Sequence, residues 1–202
     1  MKSCAFLIAA VLSSVTVCAE NPVVVMKTNL GNITVELDQQ KAPRTVENFL
    51  KYVKKKSFDG TVFHRVIRDF MIQGGGFEKG TPPAEKETLP PIMNEARTSG
   101  LSNSRGTIAM ARTRAPHSAT SQFFINVVDN PNLDPGGFSP DGYAVFGRVT
   151  SGMETVDAIR KVPTTRSVLQ SRTTDGQLVN SPSKDVPLEQ VVIESVKIKA
   201  AE

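Results

Sequence analysis

The chain offers few side chains that could act as acids, bases, nucleophiles or metal ligands. Its 202 residues include two histidines, His64 and His117, and two cysteines, Cys4 and Cys18. A protein metal site needs more convergent ligands than two histidines supply. A hydrolase would need a nucleophile with a partner base, for which only the histidines are available, so this function is a remote alternative. We expect no metal.

Three consecutive glycines at residues 74–76 could suggest a phosphate-binding loop. They are followed by Phe77 and an acidic residue instead of a helix. This arrangement lacks the helix N-terminus whose N–H groups would bind the anion. No P-loop or dinucleotide-binding motif is present elsewhere. We expect no cofactor.

Residues 63–77, FHRVIRDFMIQGGGF, have the composition of a binding site. Arg65 stands on a predicted strand near Phe70, Met71 and Gln73, at positions where a structural strand would carry Val or Ile. An exposed face with these side chains favours a shallow site for an apolar group with an amide beside it.

Both histidines are interpreted as structural. Side chains alternate along a strand, so His64 is predicted to lie on the face opposite Arg65, as a core histidine with its hydrogen bonds satisfied. His117 stands in a loop rich in Pro and Ser. It is predicted to be an exposed polar residue, with a place at the border of a binding groove as the alternative.

The elements that must position these residues are mainly short strands. Eight runs are rich in β-forming residues and are bounded by turn signals. They are residues 23–30, 33–37, 61–65, 70–74, 106–111, 122–127, 144–149 and 190–199. Two α-helices are predicted, one from Pro43 with an apolar stripe at Val46, Phe49, Leu50 and Val53, and one from a capping box at residues 151–154.

This pattern predicts a mostly β fold, a closed eight-stranded antiparallel β-barrel capped by two α-helices. The composition, 39% hydrophobic and 22% charged, is that of a globular domain. Residues 162–187 are polar without a clear period, and we expect a long, poorly ordered loop there. Residues 81–100 are predicted to form a second long surface loop.

The first nineteen residues are predicted to be a cleaved signal peptide, leaving residues 20–202 as one domain. Lys2 precedes an apolar stretch at residues 5–17, and small residues precede Glu20. The stretch is too short to span a bilayer. The alternative, a lipoprotein acylated at Cys18, lacks the usual residues before that cysteine. The basic run at residues 54–56 falls at a predicted helix end without interleaved aromatics, so no nucleic-acid binding is expected.

Two long motifs resemble the signatures of the cyclophilins, the peptidyl-prolyl cis-trans isomerases. One is the run at residues 63–77, and the other is MARTRAPHSATSQFFINV at residues 110–127, followed by a matching YAVFGRV at residues 143–149. The likeness extends from about Val23 to the end of the chain. It implies the same barrel and an enzyme that acts on proline-containing polypeptides without a cofactor.

The resemblance also implies a set of site residues. Arg65 and Gln73 would be catalytic, with Arg65 as hydrogen-bond donor to the prolyl nitrogen. The substrate-binding set would comprise Phe70, Met71, Ala111, Arg112, Thr113, Gln122, Phe124, Leu133 and Tyr143. Within it, residues 111–113 would offer an edge to the peptide backbone, Arg112 through its main chain. Alternation along residues 122–125 separates the site residues Gln122 and Phe124 from the core residues Phe123 and Ile125.

Two departures from the family pattern bear on location and inhibition. Asn132 stands where many cyclophilins have a tryptophan at the groove rim, and Tyr143 stands at what is often a histidine, as in exported bacterial members. With the leader, these residues indicate a periplasmic isomerase that assists the folding of exported proteins, and we expect a monomer. The alternative is a cyclophilin-fold binding module or chaperone whose catalysis is incidental.

Overall fold

The computed structural model describes residues 20–200. The predicted signal peptide, residues 1–19 with both cysteines, lies outside the described residues, and its cleavage stays a prediction. Within the described range no helix is long and apolar enough to cross a membrane.

The described residues form a mostly β fold, as the sequence predicts. One sheet contains the strands β1 (Val23–Thr28), β2 (Gly31–Leu37), β3 (Thr61–Val62), β4 (Arg65–Ile67), β5 (Met71–Gly74), β6 (Phe77–Glu78), β7 (Ala84–Glu85), β8 (Thr107–Met110), β9 (Phe123–Asn126), β10 (Val145–Ser151), β11 (Thr164–Arg172), β12 (Leu178–Pro187) and β13 (Val192–Ile198).

The sheet order is β12-β11-β7-β6-β3-β13-β1-β2-β10-β8-β9-β5-β4. The β11–β7 pair is parallel and the other pairs are antiparallel. The strand β3 pairs with β13, yet it continues along the chain into β4 at the opposite end of the order. The sheet must therefore curl back on itself, which makes the nearly closed barrel.

All eight predicted strands are present, but one of them is divided. Within residues 61–67, Phe63 and His64 belong to neither strand and separate β3 from β4. Phe63 packs in the main core, whereas Arg65 is exposed, so the two side chains do not share a face. The break interrupts the alternation on which the sequence prediction for His64 depended.

The first predicted helix is confirmed as α1 (Pro43–Lys54). Pro43 begins it, because its fixed φ suits the first helical position and its missing N–H needs no partner there. The predicted stripe faces the barrel core, where Val46, Phe49 and Val53 are buried. The phenylalanine ring of α1 contacts those of Phe58, Phe123 and Phe146 with centroid separations of 4.9–5.7 Å.

The second predicted helix is present as α3 (Met153–Ile159), but the capping box is wrong. Ser151 belongs to β10, and the N-cap is Gly152 in the left-handed region, with no side-chain cap bond. A side chain at residue 152 would collide with the carbonyl of Asn32, which explains the glycine. A further single turn, α2 (Ala96–Ser99), lies within the predicted loop at 81–100.

The prediction for residues 162–187 is also wrong. This segment is a long β-hairpin, β11 with β12, paired in antiparallel register from Thr164↔Pro187 to Arg172↔Leu178. Most of its side chains are exposed, so the apolar alternation that marks a strand is missing. Leu169, Val186 and Pro187 are buried, and the first two pack on Val62 and Phe77 of the barrel.

Candidate active site

Three neighbouring strands bring the central predicted residues into one row. On β4 and β5, Arg65 stands directly opposite Gln73, and on β5 and β9, Gln73 stands directly opposite Phe124. Residues opposite one another on adjacent strands project from the same face of the sheet. The row therefore places a guanidinium, an amide and an aromatic ring side by side.

A cavity of about 190 Å³ lies at this row, and it is called the apolar cavity below because its floor is an apolar cluster. It is lined by Arg65, Phe70, Met71, Gln73, Ala111, Arg112, Phe124, Leu133 and Tyr143. Its floor is firmly packed, since Met71, Phe124 and Leu133 are only 2–5% exposed. The rings of Phe124 and Tyr143 meet edge to face at 5.8 Å and 77°. The cavity is thus a small site that two arginines, Arg65 and Arg112, help to line.

The predicted alternation of side chains along β9 is confirmed. Phe123 and Ile125 are fully buried in the main core. Phe124 belongs to a separate apolar cluster under the cavity, with Met71 and Leu133.

Arg112 takes part through its side chain, which the sequence did not predict. Its guanidinium lies 4.6 Å from the ring centroid of Tyr143. It donates hydrogen bonds to the Gly142 carbonyl at 2.9 Å and to Ser139 Oγ at 2.9 Å. The side chain is fixed as part of the wall, and it holds Tyr143 against the cavity.

Thr113 is not brought to this cavity. Its backbone N–H donates to Ser118 Oγ at 3.0 Å, and its carbonyl accepts from Arg112 Nη1 at 3.0 Å. Both backbone groups form bonds within the loop, and the role of Thr113 as an edge for a substrate backbone stays a prediction. A loop whose polar groups bond to one another cannot be recognised from residue types alone.

Gln122 lies behind the row and supports Gln73. Gln73 Nε2 donates to Gln122 Oε1 at 2.9 Å, and Gln122 Nε2 donates to Glu85 Oε1 at 3.2 Å. The other carboxylate oxygen of Glu85 accepts from the backbone N–H of Arg172 at 2.8 Å. The chain of hydrogen bonds thus connects the site to β11. A side chain at Gly76 would collide with Gln122, which accounts for the third glycine of the run.

A second, polar cavity of about 430 Å³ adjoins the first on the side of the hairpin. Arg65, Gln73 and Gln122 line it from the barrel, and Leu169, Ser171, Ser183, Lys184 and Asp185 line it from the hairpin. Arg65 stands between the two cavities. Its Nε lies 3.7 Å from the carboxylate of Asp185, an ion pair that is about 40% exposed.

His64 is buried, as predicted, but it is not on the far side of the sheet from Arg65. It lines the polar cavity and packs on Phe77 at 4.5 Å between ring centroids. Its Nδ1 has no hydrogen-bond partner among residues 20–200, so it is not a fully satisfied core histidine. Burial lowers the pKa of His64 from 6.5 to about 4, and the charge of Arg65 acts in the same direction. The imidazole is neutral at physiological pH.

His117 is exposed and lines neither cavity. Its Nδ1 accepts a hydrogen bond from the backbone N–H of Asn94 at 3.1 Å. This position agrees with the prediction of an exposed polar residue.

Comparison with protein families decides the identity of the fold. Residues 23–198 match the family model described as cyclophilin type peptidyl-prolyl cis-trans isomerase. The chain belongs to the cyclophilin family. The match includes the whole barrel and every residue of the two cavities.

Two bacterial isomerases of similar length are relatives of this cyclophilin. It is 50% identical to a peptidyl-prolyl cis-trans isomerase of Acinetobacter baylyi, with 97% of each chain covered. It is 50% identical to peptidyl-prolyl cis-trans isomerase B of Escherichia coli, with 87% of this chain and 98% of the relative covered. The protein is therefore a cyclophilin-type peptidyl-prolyl cis-trans isomerase.

Solved structures share its fold. A cyclophilin-type isomerase of Cryptosporidium parvum superposes with a TM-score of 0.65 at 24% identity, covering 90% of this chain and 99% of its own. A second structure of that isomerase, determined in the presence of the dipeptide Ala-Pro, gives a TM-score of 0.63 at 25% identity, with 89% and 99% covered.

Proposed function

We propose that Arg65 lowers the barrier of X–Pro isomerisation by donating a hydrogen bond to the twisted prolyl nitrogen, with the proline ring in the apolar cavity. The position of Arg65 at the rim of that cavity carries the proposal. No covalent bond forms or breaks in this reaction. The barrier of about 18–20 kcal/mol comes from the partial double bond of the amide.

The hydrogen bond acts selectively on the transition state. In a planar amide the nitrogen lone pair is delocalised and is a poor acceptor. When the bond twists, the lone pair localises and can accept from a guanidinium N–H. An interaction that strengthens in the transition state raises the rate instead of only tightening binding. Arginine suits this role because it stays charged and presents its donors in a rigid fork.

The other residues of the cavity have supporting roles in this mechanism. Phe124, Met71 and Leu133 form an apolar floor that can bury a pyrrolidine ring. Gln73, held by Gln122, presents its amide beside Arg65 for the substrate backbone. The dipeptide used with the Cryptosporidium parvum isomerase contains the same ring. A buried ring with a fixed backbone leaves rotation about the X–Pro bond as the remaining freedom.

The mechanism is tested by a protease-coupled isomerisation assay on a short X–Pro peptide. Arg65→Ala should lower kcat/KM by about a hundredfold or more, as loss of a transition-state donor does in other enzymes. The fold should remain intact because the Arg65 side chain is 45% exposed. Arg148→Ala is the matched control, since Arg148 is an exposed barrel arginine outside both cavities. Equal activity of the two variants would refute the mechanism.

We further propose that the enzyme acts in the periplasm on exported proteins, as a monomer. The support is the leader pattern of residues 1–19, with Lys2, an apolar stretch and small residues before Glu20. Uncatalysed X–Pro isomerisation takes tens of seconds, long enough to limit the folding of such proteins. The mature chain would contain no cysteine, so disulfide exchange in an oxidising compartment would not affect it.

N-terminal sequencing of the protein from a periplasmic extract tests the location. The expected first residue is Glu20. An acylated Cys18 as first residue, or an intact leader in the cytoplasmic fraction, would contradict the proposal.

A further inference from the structure

The hairpin β11–β12 contains a β-bulge beside the catalytic arginine. Thr165 pairs with Val186 and Ser167 pairs with Ser183, so two residues of β12, Lys184 and Asp185, stand opposite a single residue of β11. A bulge of this kind bends its strand and re-aims a side chain, and bulges are frequent next to active sites.

Asp185 has a backbone conformation that agrees with such a role. Its φ is +60°, in the left-handed region that residues other than glycine rarely adopt. Aspartate is among the residues that tolerate this region. A residue placed there without a function for its side chain would more often be glycine, as at the left-handed positions Gly152 and Gly176 of this chain.

The bulge brings the carboxylate of Asp185 to the Nε side of the Arg65 guanidinium, at 3.7 Å. A guanidinium engaged at Nε keeps its two terminal nitrogens free to donate elsewhere. Arg65 also lines the apolar cavity, so a guanidinium held from its Nε side has donors left for a group bound there. The neighbouring acid of the polar cavity, Glu85, has both oxygens occupied by Gln122 and by the backbone of Arg172.

We propose that Asp185 is a positioning residue that acts through Arg65, restricting the guanidinium to orientations in which its terminal N–H groups face the prolyl nitrogen. This proposal rests on the function proposed for Arg65. It gives the hairpin a part in the reaction, because the bulge of β12 supplies the orienting charge.

The effect of the contact on rate should be moderate, since the pair is partly exposed and exposed ion pairs are weak. Asp185→Asn tolerates the same backbone conformation and removes only the charge. We expect kcat to fall about threefold with little change in KM, because orientation matters in the transition state more than in binding. Asp185→Gly should show the same loss while relieving the backbone.

Asp175→Asn is the matched control. Asp175 lies in the turn between β11 and β12 and lines neither cavity, so this variant removes the same charge from the same hairpin. Its kcat and KM should equal those of the unmodified protein. A purely structural role for Asp185 predicts that Asp185→Gly keeps full activity, and that result would overturn the proposal.

A spectroscopic comparison tests the contact independently of catalysis. The Nε–H signal of Arg65, assigned by its disappearance in Arg65→Lys, should shift and exchange faster with water in Asp185→Asn than in Asp175→Asn. An unchanged Arg65 signal would overturn the proposal. An Arg65 signal that shifts as expected in a protein whose rate does not depend on Arg65 would instead contradict the proposed function.

Discussion

The apolar cavity forms the barrel side of the site and the polar cavity forms its hairpin side, and the two sides are built in different ways. On the barrel side, the apolar cavity rests on residues that are 2–5% exposed, and its polar side chains are fixed by hydrogen bonds and ring contacts. On the hairpin side, the polar cavity is walled by strands whose side chains are mostly exposed. Leu169 and Val186 pack on the barrel, β11 pairs with β7, and the backbone N–H of Arg172 donates to Glu85. A firmly packed side suits the proposed binding of one constant group, the proline ring. The polar side places the Asp185 carboxylate beside Arg65 without taking part in the lining of that pocket.

The largest difference in kcat/KM between the two sides should appear when one side chain on each side, equally buried in both cases, is replaced by alanine. Phe124 and Leu169 are both 4% exposed. Phe124→Ala should cost about 3–5 kcal/mol of stability and lower kcat/KM about a hundredfold or more, because it opens the floor of the proline site. Leu169→Ala should also destabilise, by about 2–5 kcal/mol, yet lower kcat/KM less than tenfold.

Urea unfolding and the peptide assay at a temperature where both variants are folded measure these effects. If Leu169→Ala reduced kcat/KM as much as Phe124→Ala, the two sides would not differ in the way described.

His64 lies under the hairpin side and should make stability depend on pH. Its pKa is about 4 in the folded protein and 6.5 in the unfolded chain. Between these values the unfolded chain binds the proton preferentially, so stability falls as the pH is lowered from 6.5 to 4. The full shift corresponds to about 3 kcal/mol.

Chemical denaturation at pH 7 and at successively lower pH checks this expectation. The His64 contribution should be absent in His64→Gln and retained in His117→Gln, since His117 is exposed. A pH dependence unchanged in His64→Gln would show that the imidazole is not held neutral by burial.

The far rim of the barrel side should separate inhibition from catalysis. Asn132 is exposed next to Leu133, and its carbonyl accepts from the backbone N–H of Phe138 at 2.7 Å. The family resemblance leads us to expect a tryptophan here in members that bind cyclosporin tightly. Asn132→Trp should strengthen cyclosporin inhibition about tenfold or more, since an aromatic rim contact typically contributes over 1 kcal/mol. The value of kcat/KM should change little.

Titration of both proteins with cyclosporin in the same peptide assay gives the comparison. Tight inhibition of the unmodified protein would show that Asn132 does not determine the affinity.

The same division explains what could be predicted from the sequence. The barrel strands have one face in the core, so alternation revealed them and separated Phe123 from Phe124. Most side chains of the hairpin strands are exposed to solvent. The strands pair through backbone hydrogen bonds, which require no particular pattern of residue types. The segment was therefore mistaken for a loop.

Individual side-chain contacts at the two cavities could not be predicted from the sequence, for a related reason. The part played by Asp185 depends on a one-residue bulge, and a bulge changes which side chain meets Arg65. The side-chain role of Arg112 depends on Gly142 and Ser139, which lie about thirty residues further along the chain. The face on which His64 lies was predicted wrongly because two residues between β3 and β4 belong to neither strand, which interrupts the alternation.

The most direct test of the central claim is the rate of Arg65→Lys at saturating substrate, measured by exchange NMR on an X–Pro peptide at equilibrium. Lysine keeps the charge at this exposed position but loses the rigid fork. The proposed mechanism predicts a peptide affinity close to that of the unmodified enzyme and an isomerisation rate lower by at least an order of magnitude. A near-native rate would contradict it, because charge alone would then suffice. Unchanged rate with weakened affinity would equally contradict it, since Arg65 would then act in binding and not in the transition state.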